Sequence, residues 1–160
     1  MKELQFFSPT WGEVSLTRIV DIIAQAVQEE PDGYRLIVGT DSKNHSSMVL
    51  YVTVIILYRV GKGGIYFYTR NRSRIGKHSL KACVFQETSL TLSTAARLED
   101  ALKERGIPKL EIQCHSDIGN NGKTKMLIRE VVSWIIASGY TPHIKPNGFG
   151  ASCVADRHTD

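Results

Sequence analysis

No stretch of this chain is apolar for long enough to cross a bilayer. The longest run, Met48 to Leu57, is short and is interrupted by Tyr51 and Thr53. No basic segment followed by an apolar one opens the sequence, because Lys2 and Glu3 lead into Ser8, Pro9 and Thr10, so a cytoplasmic protein without a membrane partner is expected. Low-complexity tracts and internal repeats are absent, which excludes solenoids and disordered arms. Cysteine is scarce. Cys83, Cys114 and Cys153 lie far apart, form no CxxC pair and have no zinc-type spacing, so reduced and mostly buried thiols are expected.

What remains is an ordinary globular composition, 42% hydrophobic and 22% charged over 160 residues, enough for one domain to bury a core without disulfide or metal staples. The net charge of +4 suits a polyanionic partner, but many basic enzymes carry as much.

Periodicity divides the chain as follows. Leu16, Ile19, Val20, Ile23 and Val27 form an apolar stripe at helical spacing between Ser15, a plausible N-cap, and Glu29, before Pro31, Asp32 and Gly33 break it. Tyr34 to Val38 reads as a buried strand running into Gly39-Thr40-Asp41-Ser42, followed by a polar loop from Lys43 to Ser47. Met48 to Tyr58 and Ile65 to Thr69 are further strands, joined by a glycine-rich turn, and the short connections predict antiparallel hairpins. A basic loop, Arg70 to Lys77, precedes a long helix from Ser79 to Arg105 that Gly106 and Pro108 close. Leu110 to Cys114 is a fourth strand, Lys123 to Ser138 a helix, Thr141 to Lys145 a fifth strand, and Gly150 to His158 a final short helix. Alternation after the third strand predicts parallel pairing. The expected fold is an α/β domain over residues 1–160, a mixed five-stranded sheet flanked by helices, with residues 1–30 as an N-terminal helical extension.

Four carboxylates stand out on this map. Asp41 follows the first strand and Asp117 the fourth, and strand ends are where ligands gather in open α/β sheets. Leu80, Val84, Leu90, Leu98 and Leu102 all fall within about 60° of Glu87 on a helical wheel, so this carboxylate is on the face turned to the sheet. It needs compensation there, whether from a buried Arg or Lys partner, from snorkelling at the stripe's edge, or from a bound cation. Asp156 lies beside Val154 and Ala155 in the last segment, where an ordinary solvated aspartate is the alternative. Four such groups together raise one another's pKa and persist only around cations; oxygen-only ligands select Mg2+ or Mn2+ over zinc. Two such ions about 4 Å apart can activate water and stabilise the leaving oxygen of a phosphodiester.

The order of these motifs, IVGTDS, FQETSLTLSTAARLEDAL, HSDIG and ADRHT, resembles that of the ribonuclease H-like superfamily. HSDIGNNGKTK, GY-TPHIKPN and the terminal AS-VADRHT extend the resemblance, over essentially the whole chain, to the YkuK-type family of bacterial proteins. The resemblance implies that Asp41, Glu87, Asp117 and Asp156 are catalytic residues holding two ions, with Asp41 shared. It also implies a sheet with the third strand at one edge and the first in the middle. The N-terminal helix has no counterpart in the minimal fold. No residue matches the mobile histidine of some ribonucleases H; His143 and His158 are neighbours for which packing or surface roles are the ordinary reading.

Arg70, Arg72, Arg74, Lys77 and Lys81 precede the helix bearing Glu87 and could track a phosphate backbone, or form a solvated loop. Lys123 and Lys125 open the helix beside Asp117 and could bind a phosphate there, without the spacing of a Walker loop. Ser42 and Ser116 stand ready to orient the aspartates or to cap their loops. The expected activity is metal-dependent hydrolysis of nucleic acid, with RNA in an RNA–DNA hybrid as the favoured substrate. The alternatives are a non-catalytic nucleic-acid-binding or scaffold module and an enzyme acting on another phosphate ester.

Overall fold

The computed structural model describes residues 4–29, 33–59, 61–73, 79–107, 110–120, 122–145 and 158. The chain forms strands β1 (Gln5–Ser8) and β2 (Gly12–Ser15), helix α1 (Leu16–Glu29), strands β3 (Tyr34–His45), β4 (Met48–Arg59) and β5 (Gly63–Ser73), helix α2 (Leu80–Glu104), strand β6 (Ile112–His115), a 3-10 turn (Lys125–Leu127) running into helix α3 (Ile128–Ala137), and strand β7 (Thr141–His143). Arg74, Lys77 and Asp156, and the expected final helix apart from His158, lie outside the described residues.

Among the described residues the sheet has seven strands, not five, in the order β2-β1-β5-β4-β3-β6-β7. Its last five strands keep the order that the ribonuclease H resemblance implies, with β3 central. Strands β3, β4 and β5 pair antiparallel, while β6 and β7 continue in parallel register. The correction comes from the N-terminus, where a hairpin precedes α1 and pairs with β5 through Phe7 opposite Tyr68, so β5 is not an edge. The hairpin turns where the Ser8 hydroxyl accepts the Thr10 and Trp11 amides at 3.2 and 3.5 Å and Gly12 takes a positive φ of 71°. Its strands of four residues are too short to show an alternation on their own.

The helices begin where their caps dictate. The Ser15 hydroxyl accepts the Arg18 amide at 3.1 Å ahead of α1, and Ser79 accepts that of Ala82 at 3.1 Å ahead of α2. Both helices and α3 cover one face of the sheet, where Ile19, Ile23, Val84, Leu98, Val131 and Ile135 close over Leu36, Val38, Ile55, Phe67 and Cys114. Leu80, expected on the buried stripe, is exposed at the first position of α2. Alternation turns Leu50, Val52 and Val54 of β4 to the opposite face, where Tyr66 and Tyr68 join them. Strand β4 is thus buried on both sides, which is why its sequence is an almost unbroken apolar run.

Strand β3 is longer than its apolar portion suggests. The expected loop from Lys43 to Ser47 is mostly strand, closed by a turn at residues 46–47, because polar residues still supply the backbone ladder to β4 as far as His45 opposite Met48. Asp41 is therefore inside β3, paired with Val52, rather than just past a strand end. The basic loop is corrected in the same way, since Arg70 and Arg72 belong to β5, opposite Val52 and Leu50.

Candidate functional site

Helix α2 meets β3 through a row of polar side chains. Thr91 donates to Thr40 at 2.9 Å, and Thr40 shares a hydrogen bond of 2.9 Å with Thr53 on β4. One turn earlier on α2, the Ser42 hydroxyl donates to Glu87 Oε2 at 2.5 Å. Thr40 and Ser42 thus face the helix, and strand alternation puts Asp41 on the other face with Val52 and Arg70. The Asp41 carboxylate is nevertheless held near Ser42, whose backbone N–H donates to its Oδ1 at 3.0 Å. Ser42 therefore touches two of the four predicted acids, one through its side chain and one through its backbone.

Glu87 is poorly compensated. Burial pushes its carboxyl up to about 8, the negative charges of Asp41 and Asp117 push in the same direction, and the Ser42 hydrogen bond opposes them only in part. Tyr51, the cross-strand partner of Ser42, and Cys83, one turn before Glu87, form an apolar wall with Val49 beside it.

Asp117 comes from the loop after β6. Gly39 and His115 are paired, so Asp41 and Asp117 each lie two residues beyond a shared register position. The Lys145 ammonium is 2.9 Å from Asp117 Oδ1, an ion-pair distance, yet that buried oxygen has no hydrogen bond. Backbone contacts tie the segment after β7 to the same loop, with the Lys145 amide donating to Ile118 at 2.8 Å and the Ser116 amide to His143 at 2.9 Å. Gly119 permits this approach, since a Cβ there would stand 2.9 Å from Lys145 Cβ. Nearby, burial first and His143 second push the His115 imidazole down to about 4. Its ring lies 5.2 Å from that of His143, and its Nδ1 has no hydrogen bond.

Asp41 and Asp117 are thus close enough to Glu87 to act on it, but the acids reach the site from different sides of the sheet. Among the described residues, no three His, Cys, Asp or Glu side chains converge closely enough to hold a metal ion as they stand. The donor set fits a hard divalent cation all the same: it is all oxygen, one acid is strained toward its neutral form, and another has a buried oxygen without a hydrogen bond.

Of the predicted basic residues, Arg70, Arg72, Lys81, Lys123 and Lys125 are among the described residues. Arg70 donates to the His158 carbonyl at 2.9 Å and lies over the Tyr68 ring, on which the His158 imidazole stacks with centroids 3.8 Å apart. Arg72, Lys123 and Lys125 are exposed, and Lys81 lies over Phe85. The sequence reading missed Lys145 and the threonine cluster. A usable signal existed for Lys145, because TPHIK puts it just past a strand that neighbours the one leading to Asp117.

The family model described as ribonuclease H-like matches residues 18–160, which leaves out the N-terminal hairpin. An uncharacterised protein of Bacillus subtilis (strain 168), YkuK, is 28% identical over 165 aligned positions, covering 96% of each chain. No solved structure matches. No helix among the described residues is long and apolar enough to cross a membrane.

Proposed function

This chain belongs to the ribonuclease H-like family, of the YkuK type, and from that premise we propose that it is a divalent-metal-dependent nuclease hydrolysing phosphodiester bonds of nucleic acid. RNA in an RNA–DNA hybrid is the first substrate to test, and two Mg2+ or Mn2+ ions are the cofactors. The observation that carries this reading is Glu87, a carboxyl pushed up to about 8 beside two other acids, with a serine as its hydrogen-bond partner. A purely structural position would favour an apolar residue or a matched cation.

Asp41, Glu87 and Asp117 would hold the ions, and the family resemblance adds Asp156. When bound, such ions supply charge to activate water and to stabilise a departing oxygen. The chain's own contributions are distinct. Ser42 fixes Glu87 and Asp41 relative to one another, which limits the reorganisation needed when charge arrives. Tyr51, Val49 and Cys83 pack together, with Tyr51 close enough to Glu87 for the two to interact electrostatically. Arg70 and Arg72 lie two strands from β3, roughly 10 Å away by strand spacing, a distance that suits a neighbouring phosphate better than the scissile one. Lys123 and Lys125, exposed before α3, are further phosphate contacts.

A second reading, a non-catalytic nucleic-acid-binding module, has one observation in its favour: Asp117 is already engaged by Lys145. Cleavage of a labelled RNA–DNA hybrid with Mg2+ or Mn2+ separates the two. Asp41→Asn and Asp117→Asn are each expected to cut the rate at least about a thousandfold while leaving the unfolding transition intact. Wild-type rates in either variant would overturn this site. Salt-sensitive binding without turnover by the wild type would establish the second reading.

A further inference from the structure

Resting on the metal-dependent reading above, we propose that Lys145 is the resident counter-cation of the acid cluster and gives up Asp117 when a divalent cation enters. The backbone around this lysine is built to deliver it. Its amide bonds to Ile118, the residue after Asp117, and Gly119 leaves out the one atom that would keep its stem from the loop. Its side chain is more exposed than the carboxylate it meets. The side chain is 52% exposed, against 29% for Asp117, and the ammonium sits at ion-pair distance from an oxygen to which it makes no hydrogen bond. A contact of that kind holds charge in place but costs little to break.

The charge count explains why exchange is favourable. Asp41 and Asp117 both lie close enough to Glu87 to interact with it electrostatically, and the Lys145 ammonium engages Asp117. A divalent cation offsets two charges at once. After exchange the displaced ammonium stays tethered by the backbone contacts to Ile118. It then faces whatever anion the cation brings, which on this reading is the phosphate of a phosphodiester.

The experiment is a Mn2+ titration of the full chain followed by thermal unfolding, with Lys145→Met, Lys145→Arg and Asp41→Asn beside the wild type. Lys145→Met is expected to melt lower without metal and to bind Mn2+ about three- to tenfold more tightly, since the competing cation is gone. Lys145→Arg, which holds a carboxylate at least as well, is expected to bind Mn2+ no more tightly than the wild type. Equal or weaker Mn2+ binding by Lys145→Met, with Asp41→Asn still abolishing binding, overturns the exchange and leaves the metal site standing. If the wild type shows no Mn2+ shift at all, both readings fall. Should Lys145→Met fail to fold, Mn2+ binding by Lys145→Arg tighter than that of the wild type overturns the exchange by itself.

Discussion

Two polar clusters sit one helical turn apart where α2 crosses β3, and they are built from similarly short connections. In the first, Thr91 bonds to Thr40 and Thr40 to Thr53, all three buried and all neutral. In the second, Ser42 bonds to Glu87, but the carboxyl also feels burial and two neighbouring acids. The threonines spend their hydrogen-bonding capacity on one another and lock the helix to the sheet. Of the acids, Glu87 keeps a carboxyl pushed up to about 8, and Asp117 keeps a buried oxygen with no hydrogen bond among the described residues. Local conflict of this kind costs stability, and a fold retains it where a ligand resolves it.

The largest effect that would sharpen this contrast is expected from Glu87→Gln. An unfolded glutamate ionises near 4.5 and the folded one near 8, so unfolding releases a proton across that window. The stability contributed by Glu87 is full below about 4.5 and is lost as pH rises toward about 8. Urea unfolding of the metal-free protein from pH 4 to 9 is expected to show that decline in the wild type and not in Glu87→Gln, with the variant ahead by about 2 kcal/mol at pH 8. His115 slopes the other way: its contribution is present above 6.5 and is lost as pH falls toward about 4. Both proteins share it, so the difference between them isolates Glu87. Parallel curves would place Glu87 in the same class as the threonines.

Thr40→Val tests the other cluster. It strands two buried hydroxyls at once and is expected to cost about 1–2 kcal/mol at every pH, with Mn2+ affinity unchanged. A change in metal affinity would join the two clusters into one site. The smallest effect on stability is expected from Ser42→Ala, within about 1 kcal/mol, because a side chain this close to solvent can be replaced by water. Its Mn2+ affinity should nonetheless fall several-fold, as Glu87 loses its donor. Calorimetric titration would check it, and an unchanged affinity would mean that Ser42 caps the strand without organising the acids.

Much of the central sheet was legible because its strands carry strong local signals. The apolar run of β4, the serine caps of α1 and α2, and the glycines after the strands all report structure within a few residues of themselves. The hairpin before α1 was not legible, since four-residue strands gain their stability from pairing with β5 rather than from a pattern of their own. The polar half of β3 escaped for a related reason: backbone pairing with β4 holds it extended as far as His45. Among the site residues, the helical wheel turned Glu87 toward the sheet, and there it accepts the Ser42 hydroxyl and, among the described residues, no ion pair with an Arg or Lys is seen.

By itself, then, the sequence determined the elements whose stability is local, and with them that Asp117 lies just past a strand and Glu87 on the inner face of a helix. It could not determine what those carboxylates meet. Asp41 turns to one face of the sheet while Glu87 approaches from the other, Ser42 touches both, and Lys145 arrives from the far end of the chain to engage Asp117. Those pairings are decided by strand register and by which strands become neighbours. Both depend on contacts between residues distant along the chain, and a charge interaction depends on separation in space and on burial rather than on separation in sequence.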